Sequence, residues 1–184
     1  MSSAPRPSNQ AQATIEPQRR RLCRYNLCVA VMSSGTYDLA RFLAAQHAVI
    51  DTVYAELADG SKRTHWMWFI FPQLRGLGSS PTAERFAIGS LAEARAYLQH
   101  PLLGARLRHC TALVNAVAGR SAQQIFGAPD CLKFHSCMTL FAHADEAAAL
   151  FRAALAKYYG GLEDPRTREL LAAPARNTNA PPRD

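Results

Sequence analysis

Lysine is scarce in this chain: Lys62, Lys133 and Lys157 stand against eighteen arginines. An ammonium is a compact charge whose pKa responds to its surroundings, whereas a guanidinium stays charged, so a lysine in an arginine-rich chain marks a place to look for chemistry. Lys133 is the informative one. Asp130, Lys133, Ser136 and Cys137 recur three and four apart, which puts them on one helical face, with Phe134, Met138 and Phe141 on the neighbouring apolar face. Two readings follow. Lys133 stabilises negative charge on a ligand near the start of that helix, with Asp130 positioning or activating a water if a bond is hydrolysed. Alternatively the two residues pair with each other, a surface contact worth less than about 1 kcal/mol.

A second set of residues suits a planar, anionic ligand. In His65-Trp66-Met67-Trp68-Phe69-Ile70-Phe71-Pro72-Gln73, Trp66 or Trp68 can stack on a base, and the Gln73 amide can read a hydrogen-bonding ring. Next comes Gly76-Leu77-Gly78-Ser79-Ser80, whose backbone N–H groups suit a phosphate or carboxylate, or which is a plain turn. Gln46 falls on the inward stripe of an upstream helix, either as a satisfied core amide or as a group aimed into a site. The candidates are thus Asp130 and Lys133 for catalysis, and Gln46, Trp66, Trp68, Gln73, Gly76, Gly78, Ser79 and Ser136 for ligand binding.

Other chemistries find less support. Six histidines, at 47, 65, 100, 109, 135 and 143, form no His-Glu-x-x-His or close Cys/His set, so neither a metal nor another cofactor is expected. His65, embedded among aromatics, reads as a core histidine before it reads as a general acid or base. No Gly-x-Ser-x-Gly elbow is present, and Ser136 lies in no recognisable nucleophile motif. The five cysteines are odd in number and contain no Cys-x-x-Cys, which predicts reduced thiols in a cytoplasm, with Cys110, Cys131 and Cys137 as small buried hydrophobes.

These groups need a scaffold, and periodicity supplies helices. Apolar residues every three or four positions predict a long helix over 38–57, stopped by Asp59-Gly60. The aromatic run is too apolar for a surface helix and should be the centre of the core, as helix or strand. A helix follows Pro81. Ser90 opens one to about His100, Pro101 starts another that continues to Gly119, and Ser121 caps a short turn. Asp130 caps a helix to about Ala142, and Asp145 caps the last, Glu146 to Tyr159, ended by Gly160-Gly161. The fold class is therefore mainly α, a compact single-domain helical fold with roughly six to seven helices and little or no sheet.

The folded part is expected over 36–171, long enough to bury roughly two thirds of the surface its unfolded chain exposes. Residues 1–35 read as a disordered or mis-started extension, Met32 being a candidate initiator, and 172–184 as a disordered tail. Much of the net charge of +7 belongs to these ends: residues 1–33 hold five Arg and one Glu, and 173–184 two Arg and one Asp. A nucleic-acid partner is accordingly not favoured. No apolar run approaches the roughly 20 residues that cross a bilayer.

The segments His65 through Gln73, Gly76-Leu77-Gly78-Ser79, His100-Pro101-Leu102-Leu103-Gly104, Ile125-Phe126-Gly127 and Lys133 through Phe141 together resemble the bacterial domain of unknown function 1810 family, whose members are sometimes mislabelled calpastatin. The resemblance spans about Tyr37 to Leu171 and implies a mainly helical fold. Lys133, Ser136, Met138, Thr139 and Phe141 fit its pattern. His135 and Cys137 stand where other small or polar residues are expected, which argues against a catalytic role for them. Over under a third of the chain, His100-Pro101-Leu102-Leu103, the Leu-rich helix after it and Ile125-Phe126-Gly127 are similar to the NADAR family, which implies NAD or ADP-ribose metabolism and N-glycosidic bond hydrolysis. The expected function is a site for a ribosyl or nucleotide-like small molecule, with or without hydrolysis. The competing class is a non-catalytic interaction or ligand-sensing module.

Overall fold

The structure is a computed structural model that describes residues 37–173. The expectations for residues 1–35, including the Met32 start, and for the tail beyond Ala173 lie outside the described residues. Among the described residues there are ten helices and no strand, the one ladder contact being an isolated parallel bridge between Leu74 and Ile88. The mainly helical expectation holds, but the number of helices exceeds the six to seven read from the sequence.

The excess has physical causes. The expected helix over 38–57 is two, α1 (Ala40–His47) and α2 (Ile50–Ala58), separated by a turn at Ala48-Val49. Neither Gly nor Pro marks the break, and a two-residue turn leaves the apolar stripe nearly in phase, so periodicity alone cannot see it. The aromatic run contains a single helical turn, α3 (Met67–Ile70), which ends as Phe71 takes φ −119° and ψ 71°. A residue before proline is driven out of the α region, and Pro72 follows. Trp66, Met67, Ile70 and Phe71 are buried as expected, whereas His65 is exposed, which corrects its reading as a core histidine.

Beyond it come α4 (Pro81–Arg85), α5 (Leu91–Gln99), α6 (Pro101–Ala116) and α7 (Ala122–Phe126). Ser80, Ser90 and Ser121 cap α4, α5 and α7, each accepting from the N–H three residues on. Only Ser121 completes a capping box, with Gln124; Glu93 reaches past Ser90 to the Gly89 N–H and pairs with Arg41 at 2.7 Å. The cap of α6 is His100, whose Nδ1 accepts from the N–H groups of Leu102 and Leu103.

The centre of the molecule is α8 (Asp130–Ala144), with Phe134, Cys137, Met138, Leu140 and Phe141 wholly buried. It packs against α5, α7, α9 (Ala149–Tyr159) and α10 (Pro165–Ala172). Phe134 stacks on Phe126 at 4.7 Å and meets Phe71 edge-on at 4.9 Å, geometries that favour the ring quadrupoles. Two expected caps fail. Asp130 is the first residue of α8 and makes no cap bond, because both its oxygens are held by lysines. Asp145 accepts from the Ala147 N–H, and α9 begins only at Ala149. Gly160 and Gly161, at φ +62° and +79°, end α9 as expected. Helix α10 was not foreseen, although Asp164-Pro165 is a cap followed by proline at the first helical position.

Candidate functional site

Helical spacing along α8 sets Asp130, Lys133 and Ser136 in a row, and the surrounding elements decide what each meets. Lys133 Nζ lies 2.7 Å from Asp130 Oδ1 and 4.3 Å from the centroid of the Trp68 ring. The other oxygen of Asp130 takes Lys62 Nζ at 2.7 Å, and that ammonium lies 5.3 Å from the Trp66 centroid. Two ammoniums thus share one carboxylate, leaving one unit of positive charge against the indoles. Burial raises the Asp130 pKa, but the hydrogen bonds from Lys133 and Lys62 outweigh it and hold the carboxyl below its ordinary range.

Between the Trp68–Ala83 segment and the start of α8 runs a groove of about 450 Å³. Its walls are Trp68, Gln73, Leu77, Gly78, Ser79, Ser80 and Ala83 on one side, and Pro129, Leu132, Lys133, Ser136, Asp164 and Arg166 on the other. The Leu74–Ile88 bridge fixes the first wall, with Ile88 donating to the Gln73 carbonyl and Arg75 to that of Ile88, both at 2.8 Å. A smaller pit of about 10 Å³, water-sized, is shared by Trp68, Gln73, Gly76 and Gly78. Gly76 has φ +94°, a conformation that disfavours any side chain, and a Cβ on Gly78 would lie 2.8 Å from that of Ala83. The N–H groups of Leu77, Gly78, Ser79 and Ser80 reach no acceptor among the described residues.

Of the ten candidates from the sequence, Trp68, Gln73, Gly78, Ser79, Lys133 and Ser136 line this one groove. Gly76 borders the pit beside it. Three stand elsewhere, and their readings are corrected. Trp66 is 1% exposed, its Nε1 donating to Glu56 at 2.8 Å, so no ligand base can stack on it. Gln46, also 1% exposed, donates to the Phe69 carbonyl and Tyr97 and accepts from Arg106; it is a satisfied core amide. Asp130 supports Lys133 from behind and is not a groove wall. A carboxylate clamped by two ammoniums is a poor base for activating water.

Sequence reading missed Glu56, Asp164 and Arg166. Glu56 is buried and accepts from the N–H groups of Arg63 and Thr64, the Thr64 hydroxyl and the Trp66 indole. Burial raises its pKa, yet those bonds together lower it below the ordinary carboxylate value. The available signal was an acid inside the apolar stripe of Val53 and Leu57. Asp164 caps α10, its Oδ2 accepting from the Thr167 N–H at 2.8 Å, the Thr167 hydroxyl at 2.6 Å and the Ser136 hydroxyl at 3.2 Å. Its own N–H donates to Thr139 Oγ1, so α8 places both ends of the residue. Arg166 is exposed at the groove and makes no ion pair or side-chain hydrogen bond among the described residues.

Among the described residues no cluster of His, Cys, Asp and Glu could hold a metal, and no helix is long and apolar enough to cross a membrane. Cys110, Cys131 and Cys137 are buried and unbridged, and burial pushes the Cys110 thiol up to about 12. Such thiols behave as packing groups.

The mainly helical fold agrees with what the sequence resemblance implied. The chain belongs to the family described as protein of unknown function (DUF1810), matched over residues 36–171. It is similar to a solved structure, the conserved hypothetical protein Rv1873 from Mycobacterium tuberculosis, at 61% identity over 76% of this chain and 100% of that one, with a TM-score of 0.75. No curated protein matches.

Proposed function

We propose that the groove binds a small anionic ligand of the ribosyl or nucleotide-like class, and that the protein acts as a binding or sensing module for it. The observation that carries this reading is the meeting of Trp68, Gln73 and Lys133 in one hollow of about 450 Å³, within the range of small-ligand sites. An indole offers a planar face and an amide reads a ring edge. Lys133 and Arg166 supply positive charge, and the loop amides around Gly78 are free to meet a phosphate. The buried, unbridged thiols suit a reducing compartment, and we place the protein in the cytoplasm.

Hydrolysis of an N-glycosidic bond has weaker support. Asp130 is not a groove wall, and Asp164, the acid that is, already caps a helix. Residues carrying the NADAR resemblance do structural work: His100 caps α6, while Ile125 and Phe126 pack in the core. Purified full-length protein titrated with ADP-ribose and with ADP tests the reading. At about 100 times Kd a ligand adds about 2.7 kcal/mol, a rise of about 10 °C in Tm for a domain of this size. Lys133→Ala is expected to weaken binding about tenfold or more, since a charge-assisted bond is lost. An unchanged melting curve with both nucleotides defeats the reading, and release of free base would restore the hydrolase. The second reading is a protein-interaction module, to which the groove's edge presents Leu132, 63% exposed; a flat ligand screen would leave it standing.

A further inference from the structure

We infer that Asp164 is the residue by which the groove selects a ligand carrying free sugar hydroxyls, an inference that rests on the ribosyl or nucleotide-like reading above. Asp164 is the one acidic side chain in the groove wall, among residues that otherwise offer hydrogen-bond donors or apolar surface. Its two oxygens are used unequally. Oδ2 takes both Thr167 bonds and the Ser136 hydroxyl, whereas Oδ1 accepts nothing among the described residues and is not sealed from solvent.

Capping α10 does not require that second oxygen. Serine, asparagine and aspartate cap helices about equally well, so a carboxylate here leaves an acceptor over. It is also held in place, by Thr139 at its backbone and by Ser136 and Thr167 at its side chain, which lowers the cost of ordering it around a ligand. In a groove with Lys133 and Arg166, a bare carboxylate repels a ligand that is anionic and nothing else. A ligand with an anionic group for the cations and hydroxyl donors for Oδ1 satisfies both walls. Sugar phosphates and ribonucleotides have that chemistry; pyrophosphate and deoxygenated nucleotides do not.

Isothermal titration of the full chain with ADP and with its 2′,3′-dideoxy counterpart tests this, using wild type, Asp164→Ser and Asp164→Asn. Both substitutions keep a capping oxygen, and their Tm values and circular dichroism report whether α10 survives. The expected result is that wild type prefers ADP by about tenfold to a hundredfold, the worth of a hydrogen bond to a charged group. In Asp164→Ser that preference falls to about one, and in Asp164→Asn, whose NH2 is uncharged and can only donate, it falls below the wild-type ratio, while the dideoxy nucleotide binds no more weakly than to wild type. Equal binding of both nucleotides by wild type, or equal weakening of both in folded variants, overturns the role of Asp164 and leaves the groove reading intact. Binding of neither nucleotide by wild type overturns the role of Asp164, and the groove reading falls with it when ADP-ribose also fails to bind.

Discussion

One residue, Met67, separates Trp66 from Trp68, and one carboxylate separates their roles. Glu56 accepts the Trp66 indole N–H at 2.8 Å and holds that ring in the core, while Trp68 stays half-buried beneath Lys133. Since the chain has only these two tryptophans, fluorescence can tell them apart. Trp66→Phe is expected to retain an emission that ADP-ribose perturbs, and Trp68→Phe to lose that response with the Trp66 signal still present. A ligand-induced change in Trp68→Phe would remove Trp68 from the site. Glu56→Gln is a sharper test of the scaffold. It sets an NH2 group among the four donors that now converge on a carboxylate, and leaving a buried group mismatched costs about 1–3 kcal/mol, read as a lower urea midpoint.

At the scale of elements, the glycine loop is where backbone conformation and the groove are tied together. Gly78→Ala would drive a Cβ to 2.8 Å from Ala83, and neither atom can rotate away, so the loop must move. The expected loss is about 1–3 kcal/mol, with weakened ADP-ribose binding. Gly76→Ala is strained by φ +94° and should cost about 1 kcal/mol. Chemical denaturation of both variants checks this, and an unaffected Gly78→Ala would mean that the wall is softer than its contacts indicate. The same loop shows what sequence could and could not reveal. Spacing alone put Lys133 and Ser136 on one face of α8, and residue type picked Trp68, Gln73 and Gly78, because helical periodicity and turn chemistry are local. Which of two tryptophans is buried, and that Asp164 arrives beside Ser136 from 28 positions away, depends on packing between distant segments. No local rule contains that information. The break at Ala48-Val49 was hidden for the opposite reason, since it barely disturbs the stripe on which a helix is recognised.

Across the whole molecule, the response to acid gathers these separate groups into one measurable curve. His100 caps α6 through a lone pair on Nδ1, which a protonated ring lacks, and burial together with the nearby Arg106 lowers its pKa. Because the folded value lies below the unfolded one, the stabilisation is complete above the ordinary imidazole range and is lost as pH falls through the lowered value. Glu56 and Asp130 behave alike one range lower. Their hydrogen-bonded carboxylates outweigh burial and sit below the ordinary carboxylate value, so their contribution disappears only as pH falls through the folded values. Urea unfolding at a series of pH values is therefore expected to show two declines, a shallow one below neutrality and a steeper one in acid. His100→Asn keeps a capping acceptor that does not titrate, so it should flatten the first decline and spare the second. Glu56→Gln should do the reverse, lowering stability at neutral pH and leaving less to lose in acid. If His100→Asn left the first decline unchanged, the titration would belong to another histidine, and the cap of α6 would not depend on the charge of its imidazole.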